Sequence, residues 1–165
     1  MGTLSARLAT KTHSVWNRRI VGNEVDVKCN GADIFLTAGV TIVGETNAYD
    51  VDLCAEDEQL SGIVVGRADE ATDLSKDADS PYADNTNIKM AIPIPGEEVY
   101  LTSKSGSTVT KGKIVQCDGG FFENTDFAAN ESAANVPYAG SMLFQALETV
   151  TGVSGVEAIF LAKRV

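Results

Sequence analysis

The sequence predicts a mainly β protein: a compact antiparallel barrel or sandwich with an extended N-terminal arm and a long acidic loop. Two kinds of observation lead there. Apolar residues recur with a period of two rather than 3.6, and short β-branched runs are bounded by Gly, Pro and Asn. The charge is also segregated along the chain. With 165 residues, 44% of them apolar and 22% charged, the chain is long enough to bury one core but leaves little room for two full domains. Residues 1–19 read as the arm, and residues 20–165 as a single β domain with an acidic excursion at about 68–87.

The arm is rich in Ser, Thr and Ala and poor in large apolar residues, so it has little with which to form a core of its own. It holds Arg7, Lys11, Arg18 and Arg19 and no Asp or Glu, giving +4, while the rest of the chain sets nine basic residues against 23 acidic ones, giving −14. Trp16 is an aromatic that a purely solvated tail has no reason to carry. Arg7, Lys11, Trp16, Arg18 and Arg19 are therefore the candidate partner-binding residues.

Beyond the arm, Glu24 to Cys29 and Tyr49 to Cys54 alternate polar and apolar, which predicts strands with one face to a core and one to water. On that pattern Asp50 and Asp52 belong to a wet face. Val40 to Val43, Gly62 to Val65, Ile88 to Ile92, Glu98 to Leu101 and Lys113 to Cys117 add further strands. Asp118-Gly119-Gly120 reads as a tight turn into Phe121 and Phe122, because a phosphate-cradling loop would need a following helix and lysine. Ser141 to Leu147 and Val156 to Ala162 are strand-like runs on either side of Thr151-Gly152-Val153-Ser154-Gly155, a hairpin connection, so the last strand ends in the sheet. Ala68 to Asn87, with six Asp or Glu and Pro81, reads as a surface excursion; Asp126 to Asn135 reads as a short helix closed by Pro137.

Several chemistries lack their residues. His13 is the sole histidine and lies in a polar run, so no His-based triad is expected. Cys29, Cys54 and Cys117 are odd in number and widely spaced, which argues against a disulfide framework or a zinc site. Asp77-Ala78-Asp79-Ser80-Pro81 lacks the glycine and distal Glu of a calcium loop. No Gly-x-Ser-x-Gly elbow or phosphate-binding lysine loop is present, and Lys89 sits inside a strand-like run rather than at the exposed turn a biotinyl or lipoyl carrier needs. A net charge of −10 opposes nucleic-acid binding. The least charged stretch, Val136 to Val156, is interrupted by Pro137, Gly140, Gln145 and Glu148, short of the roughly 20 apolar residues a bilayer span needs. Met1 to Trp16 carries Arg7 and Lys11 but no apolar block of the kind a secretory signal requires, so folding in the compartment of synthesis is expected. The chain reads as a binding protein without catalytic activity or cofactor.

From Gly96 onward the order of features is informative. Gly96-Glu97-Glu98-Val99-Tyr100 and Val109-Thr110-Lys111-Gly112-Lys113-Ile114-Val115 open two strands; Gly140-Ser141-Met142-Leu143-Phe144-Gln145-Ala146-Leu147-Glu148 and Val156-Glu157-Ala158-Ile159-Phe160-Leu161 complete the set. This order resembles the small β-barrel decoration, or cement, proteins of tailed viruses of bacteria and archaea, with an insertion at Phe144-Gln145 and the added acidic loop. The resemblance implies a homo-oligomer, commonly a trimer. It would be made in the host cytoplasm and bound to the outer surface of the capsid, where it ties adjacent major capsid protein subunits together through its N-terminal segment. The competing expectation is a β-sandwich carbohydrate-binding module on a virion or cell surface, which would display aromatics such as Tyr49, Tyr82, Tyr100, Phe121, Phe122, Phe127 and Tyr138.

Overall fold

A computed structural model describes residues 24–44, 49–65, 76, 78–125, 141–151 and 157–165. Among them there are twelve strands and no helix. The first five are β1 (Glu24–Cys29), β2 (Gly39–Ile42), β3 (Asp50–Leu53), β4 (Gly62–Val65) and β5 (Asn87–Ala91), and they close into a barrel in the order β1-β3-β2-β4-β5. Then come β6 (Glu98–Thr102), β7 (Thr108–Val109), β8 (Ile114–Asp118), β9 (Phe121–Asn124), β10 (Phe144–Ala146), β11 (Val150–Thr151) and β12 (Ile159–Arg164). They form a five-stranded sheet in the order β6-β12-β10-β8-β9 and a short β7-β11 ribbon. The last described strand lies inside the sheet, between β6 and β10. The run expected over Ser141 to Leu147 narrows to Phe144–Ala146, and β11 intervenes before β12 to pair with β7.

The predicted alternation is plain in β1 and β5, which pair antiparallel with Val27 opposite Ile88 and Asp26 opposite Lys89. Val27, Ile88 and Met90 are buried, while Asp26 and Lys89 meet in an ion pair of 2.9 Å on the outer face. Pairing is antiparallel throughout except between β1 and β3, where Lys28 aligns with Asp50 in parallel. That exception corrects the wet-face expectation for Asp50. Squeezed between β1 and β2 on the closed barrel, Asp50 is only 3% exposed. Gly119 and Gly120 have φ of 60° and 84°, the left-handed pair of a two-residue hairpin joining β8 to β9, as the turn reading expects.

Barrel and sheet share one hydrophobic core. Its centre is the Ile34-Phe35-Leu36 run between β1 and β2, which is fully buried although not itself a strand. Backbone bonds hold this run in place: Thr37 N to Val64 O at 2.9 Å, Leu36 N to Lys76 O at 3.2 Å and Tyr82 N to Ile34 O at 2.8 Å. Phe35 stacks on Phe121 at 4.7 Å, which joins the barrel side to the sheet, and within the sheet Phe122 meets Phe144 edge-on at 6.2 Å. Of the acidic excursion, Ala78 to Asn87 is described; it is mostly exposed, but buried Tyr82 anchors it and Asp84 accepts a hydrogen bond from Gly31 N. The Asp126 to Asn135 helix expectation lies outside the described residues.

Gly39 is the tightest point of the seam. A Cβ there would sit 2.4 Å from the Cys117 sulfur, 2.9 Å from a Leu60 methyl and 3.0 Å from the Phe122 ring. Gly39→Ala is expected to destabilise the fold by about 1–3 kcal/mol, read as a lower urea midpoint at an unchanged m-value. At the end of β1, burial and then the Asp33 and Asp84 carboxylates push the Cys29 thiol up to about 11, from 9.0. The unfolded chain therefore releases this proton first. The contribution of Cys29 to stability should be level below pH 9 and fall between pH 9 and 11, by at most roughly 2–3 kcal/mol, and a pH series of urea melts on Cys29→Ala should lose that component.

Candidate functional site

The described surface has one region where apolar exposure, an unpaired buried donor and a change of chain direction coincide. After β5 the chain leaves the barrel as Ile92-Pro93-Ile94-Pro95 and turns at Gly96, φ 96°, into β6. Neither proline has an N–H to donate, so this strap cannot extend the β5 ladder. Its remaining polar groups are largely used locally. Ile94 N donates to the Glu97 carboxylate at 2.8 Å, Glu97 N donates to Ile94 O at 3.0 Å, and Gly96 N donates to Arg164 O at 2.8 Å. The strap is thus pinned with Pro93 buried and its isoleucines turned outward: Ile92 is 37% and Ile94 54% exposed.

Glu24 and Val25 of β1, the four strap residues and Arg164 of β12 line a shallow groove of about 430 Å³. Arg164 forms part of it. Its Nη1 donates to Pro93 O at 2.6 Å, whereas its Nε is buried and has no hydrogen-bond partner. A buried guanidinium N–H without an acceptor is costly, and a carbonyl or carboxylate oxygen delivered into the groove would relieve that cost. Val165, the next residue, is also exposed. The chemistry fits a protein segment that seats an apolar side chain on Ile92 and Ile94 and presents an oxygen to Arg164.

Glu24 is where the described chain begins, and it lies opposite Ala91, directly before the strap. The described chain thus starts on the lining of the groove. Arg7, Lys11, Trp16, Arg18 and Arg19 all lie outside the described residues. Sequence reasoning missed the groove, although Ile92-Pro93-Ile94-Pro95 carried a signal. Alternating isoleucine and proline supplies apolar side chains on a backbone that cannot join a ladder.

Elsewhere the sequence candidates are dispersed. Lys89 lies within β5 on Asp26. Asp52 is partly buried, beside Asn30 at 3.5 Å. Among the described residues, no group of three or more His, Cys, Asp or Glu is placed to hold a metal ion. His13 and Asp77 fall outside them. Of the aromatics a carbohydrate platform would display, Tyr82, Tyr100 and Phe122 are in the core, Phe121 stacks on Phe35, and Tyr49 is exposed; Phe127 and Tyr138 lie outside the described residues. No family model matches the chain, and no curated protein matches its sequence.

Replacing Arg164 by Met keeps most of its apolar stem but removes the bond to Pro93 O. Arg164→Met is expected to leave the fold intact and to speed amide hydrogen exchange at Ile92, Ile94 and Gly96 by about tenfold, the equivalent of roughly 1.4 kcal/mol of local opening.

Proposed function

We propose that this chain is a non-enzymatic capsid decoration protein. On this reading it binds the outer surface of an assembled viral capsid as a homo-oligomer, commonly a trimer, bridges major capsid protein subunits and stabilises the particle. It is made in the host cytoplasm and ends on the virion. The observation that carries the reading is the junction of the basic arm with the apolar groove. Glu24, the first described residue, lines the groove with Ile92, Ile94 and Arg164, and the sequence before it includes an arm bearing +4 charges and Trp16. Trp16 is eight residues from Glu24 and so within about 28 Å of it at full extension. Arm and groove can then grip one partner together.

Magnitudes decide how the two parts divide the task. Exposed ion pairs from Arg7, Lys11, Arg18 and Arg19 are worth about 0–1 kcal/mol each, while ordering an arm costs roughly 1–2 kcal/mol per residue. The arm alone is a weak ligand. Burying apolar area at about 25 cal/mol per Å² in the groove supplies what the charges cannot, and several copies on one oligomer act at the effective concentration set by their tethers. The acidic remainder keeps densely displayed copies mutually repulsive away from their contacts. The scarcity of exposed aromatics among the described residues favours this reading over a carbohydrate-binding module.

Co-sedimentation with expanded capsids of the encoding virus tests it. Full-length protein should bind saturably, a chain lacking residues 1–19 or carrying Arg18→Glu with Arg19→Glu should bind far less, and Ile94→Asp should lose about tenfold. Because Ile94 is exposed, that last change should alter stability by no more than about 0.5 kcal/mol. Absence of saturable binding by the full chain would overturn the proposal.

A further inference from the structure

Two of the three cysteines meet at the seam between barrel and sheet. Cys54 directly follows β3 and Cys117 lies in β8, so they come from opposite sides of the core. They are 1% and 8% exposed. Cys117 Sγ donates to Cys54 O at 3.5 Å, and Cys54 Sγ donates to Ala55 O at 3.4 Å, so the two side chains meet at one point of the seam. The backbone around them is fixed: Cys54 N donates to Gly39 O at 3.0 Å and Gly120 N to Cys54 O at 3.1 Å. Cys29, at the end of β1, does not line this site.

Packing is tight on the Gly39 side of Cys117, but it is not complete around the two cysteines. Both line a small cavity of about 10 Å³, on the scale of one water, together with Glu56, Gln116 and Ser141. Leu60 and Met142 supply an apolar part of the lining, and its polar part is partly unsatisfied. Gln116 is 4% exposed with neither end of its amide paired, and Glu56 Oε1 is buried without a partner. The cavity leaves the cysteines one side that is not filled by side chains, and its polar groups suit a single small hydroxylic molecule.

We propose that Cys54 and Cys117 are a modification site: a peroxide converts them to a reversible disulfide that joins the barrel covalently to the sheet. One thiol, as thiolate, attacks a peroxide oxygen; the O–O bond breaks, an S–O bond forms, and the departing hydroxide takes up the thiol proton as water. The second thiol attacks the sulfenic sulfur. The S–S bond forms, the S–O bond breaks, and the second proton leaves with the hydroxide as another water. Two electrons pass from sulfur to peroxide, and two thiols with one hydrogen peroxide become one disulfide and two waters. Burial raises the Cys117 thiol well above its usual range, so the folded site reacts slowly. The cross-link closes a long loop, from β3 to β8, and so restrains the unfolded chain.

The test is hydrogen peroxide treatment of the native full-length protein, followed by alkylation in acid-quenched denaturant and non-reducing peptide mapping. The expected product has lost two hydrogen masses, links the Cys54 and Cys117 peptides, leaves Cys29 alkylated, and melts several degrees higher until a phosphine reverses it. Recovery of Cys54 and Cys117 as separate alkylated or over-oxidised peptides would overturn the proposal. So would a link through Cys29, or a Cys54–Cys117 link that forms equally well in denaturant.

Discussion

A ring of three backbone hydrogen bonds sets the arrangement of this molecule. Gly39 N donates to Gly120 O at 2.9 Å, Gly120 N to Cys54 O at 3.1 Å, and Cys54 N to Gly39 O at 3.0 Å. The ring ties the start of β2, the end of β3 and the β8–β9 turn into one unit. It forms only because the chains approach closely: a Cβ on Gly39 would strike Cys117, and one on Gly120 would lie 2.6 Å from a Leu53 methyl. With the ring in place, Phe35 reaches Phe121, and Thr37, at φ 77°, brings its hydroxyl to that of Thr102. Without it, barrel and sheet would be two half-cores joined by the strap.

The strap inherits its position from that seam. Ile92 to Glu97 spans from β5 on the barrel to β6 in the sheet, and Arg164 of β12 clamps it by donating to Pro93 O. Its ends therefore move only if the seam moves. A link with two prolines and local hydrogen bonds has little freedom of its own, so Ile92 and Ile94 are presented in a fixed geometry and lose little entropy when covered. The groove is a product of long-range packing, read out on a short local segment.

Much of the fold is legible along the chain because alternation is local. Glu24 to Cys29 and Asn87 to Ala91 each put polar side chains outward, and the Asp26–Lys89 pair marks that outer face. Asp118-Gly119-Gly120 announces its turn through the positive φ that glycine alone adopts freely. What escapes the sequence is what depends on closure. Ile34-Phe35-Leu36 has no period of two, being buried from more than one side, and Asp50 looks wet until β1 and β2 flank β3 on both edges. The division into a closed barrel and a separate sheet is likewise set by pairings between distant residues. The binding residues read from the sequence, Arg7 to Arg19, lie outside the described chain; the groove beside their point of attachment emerges only in three dimensions.

Charge and apolar surface favour different partners. The domain beyond the arm carries −14, so a partner that is merely acidic would be repelled by most of the surface, and a merely basic one would be held without orientation. Arg164 changes this locally. It places a buried N–H donor between apolar walls, where an acceptor gains strength from the low local dielectric and must arrive in register with the side chain that covers Ile94. On the proposed reading, specificity belongs to the groove and attraction at a distance to the arm. A partner meeting both conditions has to present a negative surface beside an apolar protrusion, and to present it repeatedly if weak single contacts are to add up. A regular protein shell has that repetition, which is the physical reason to look for the partner there.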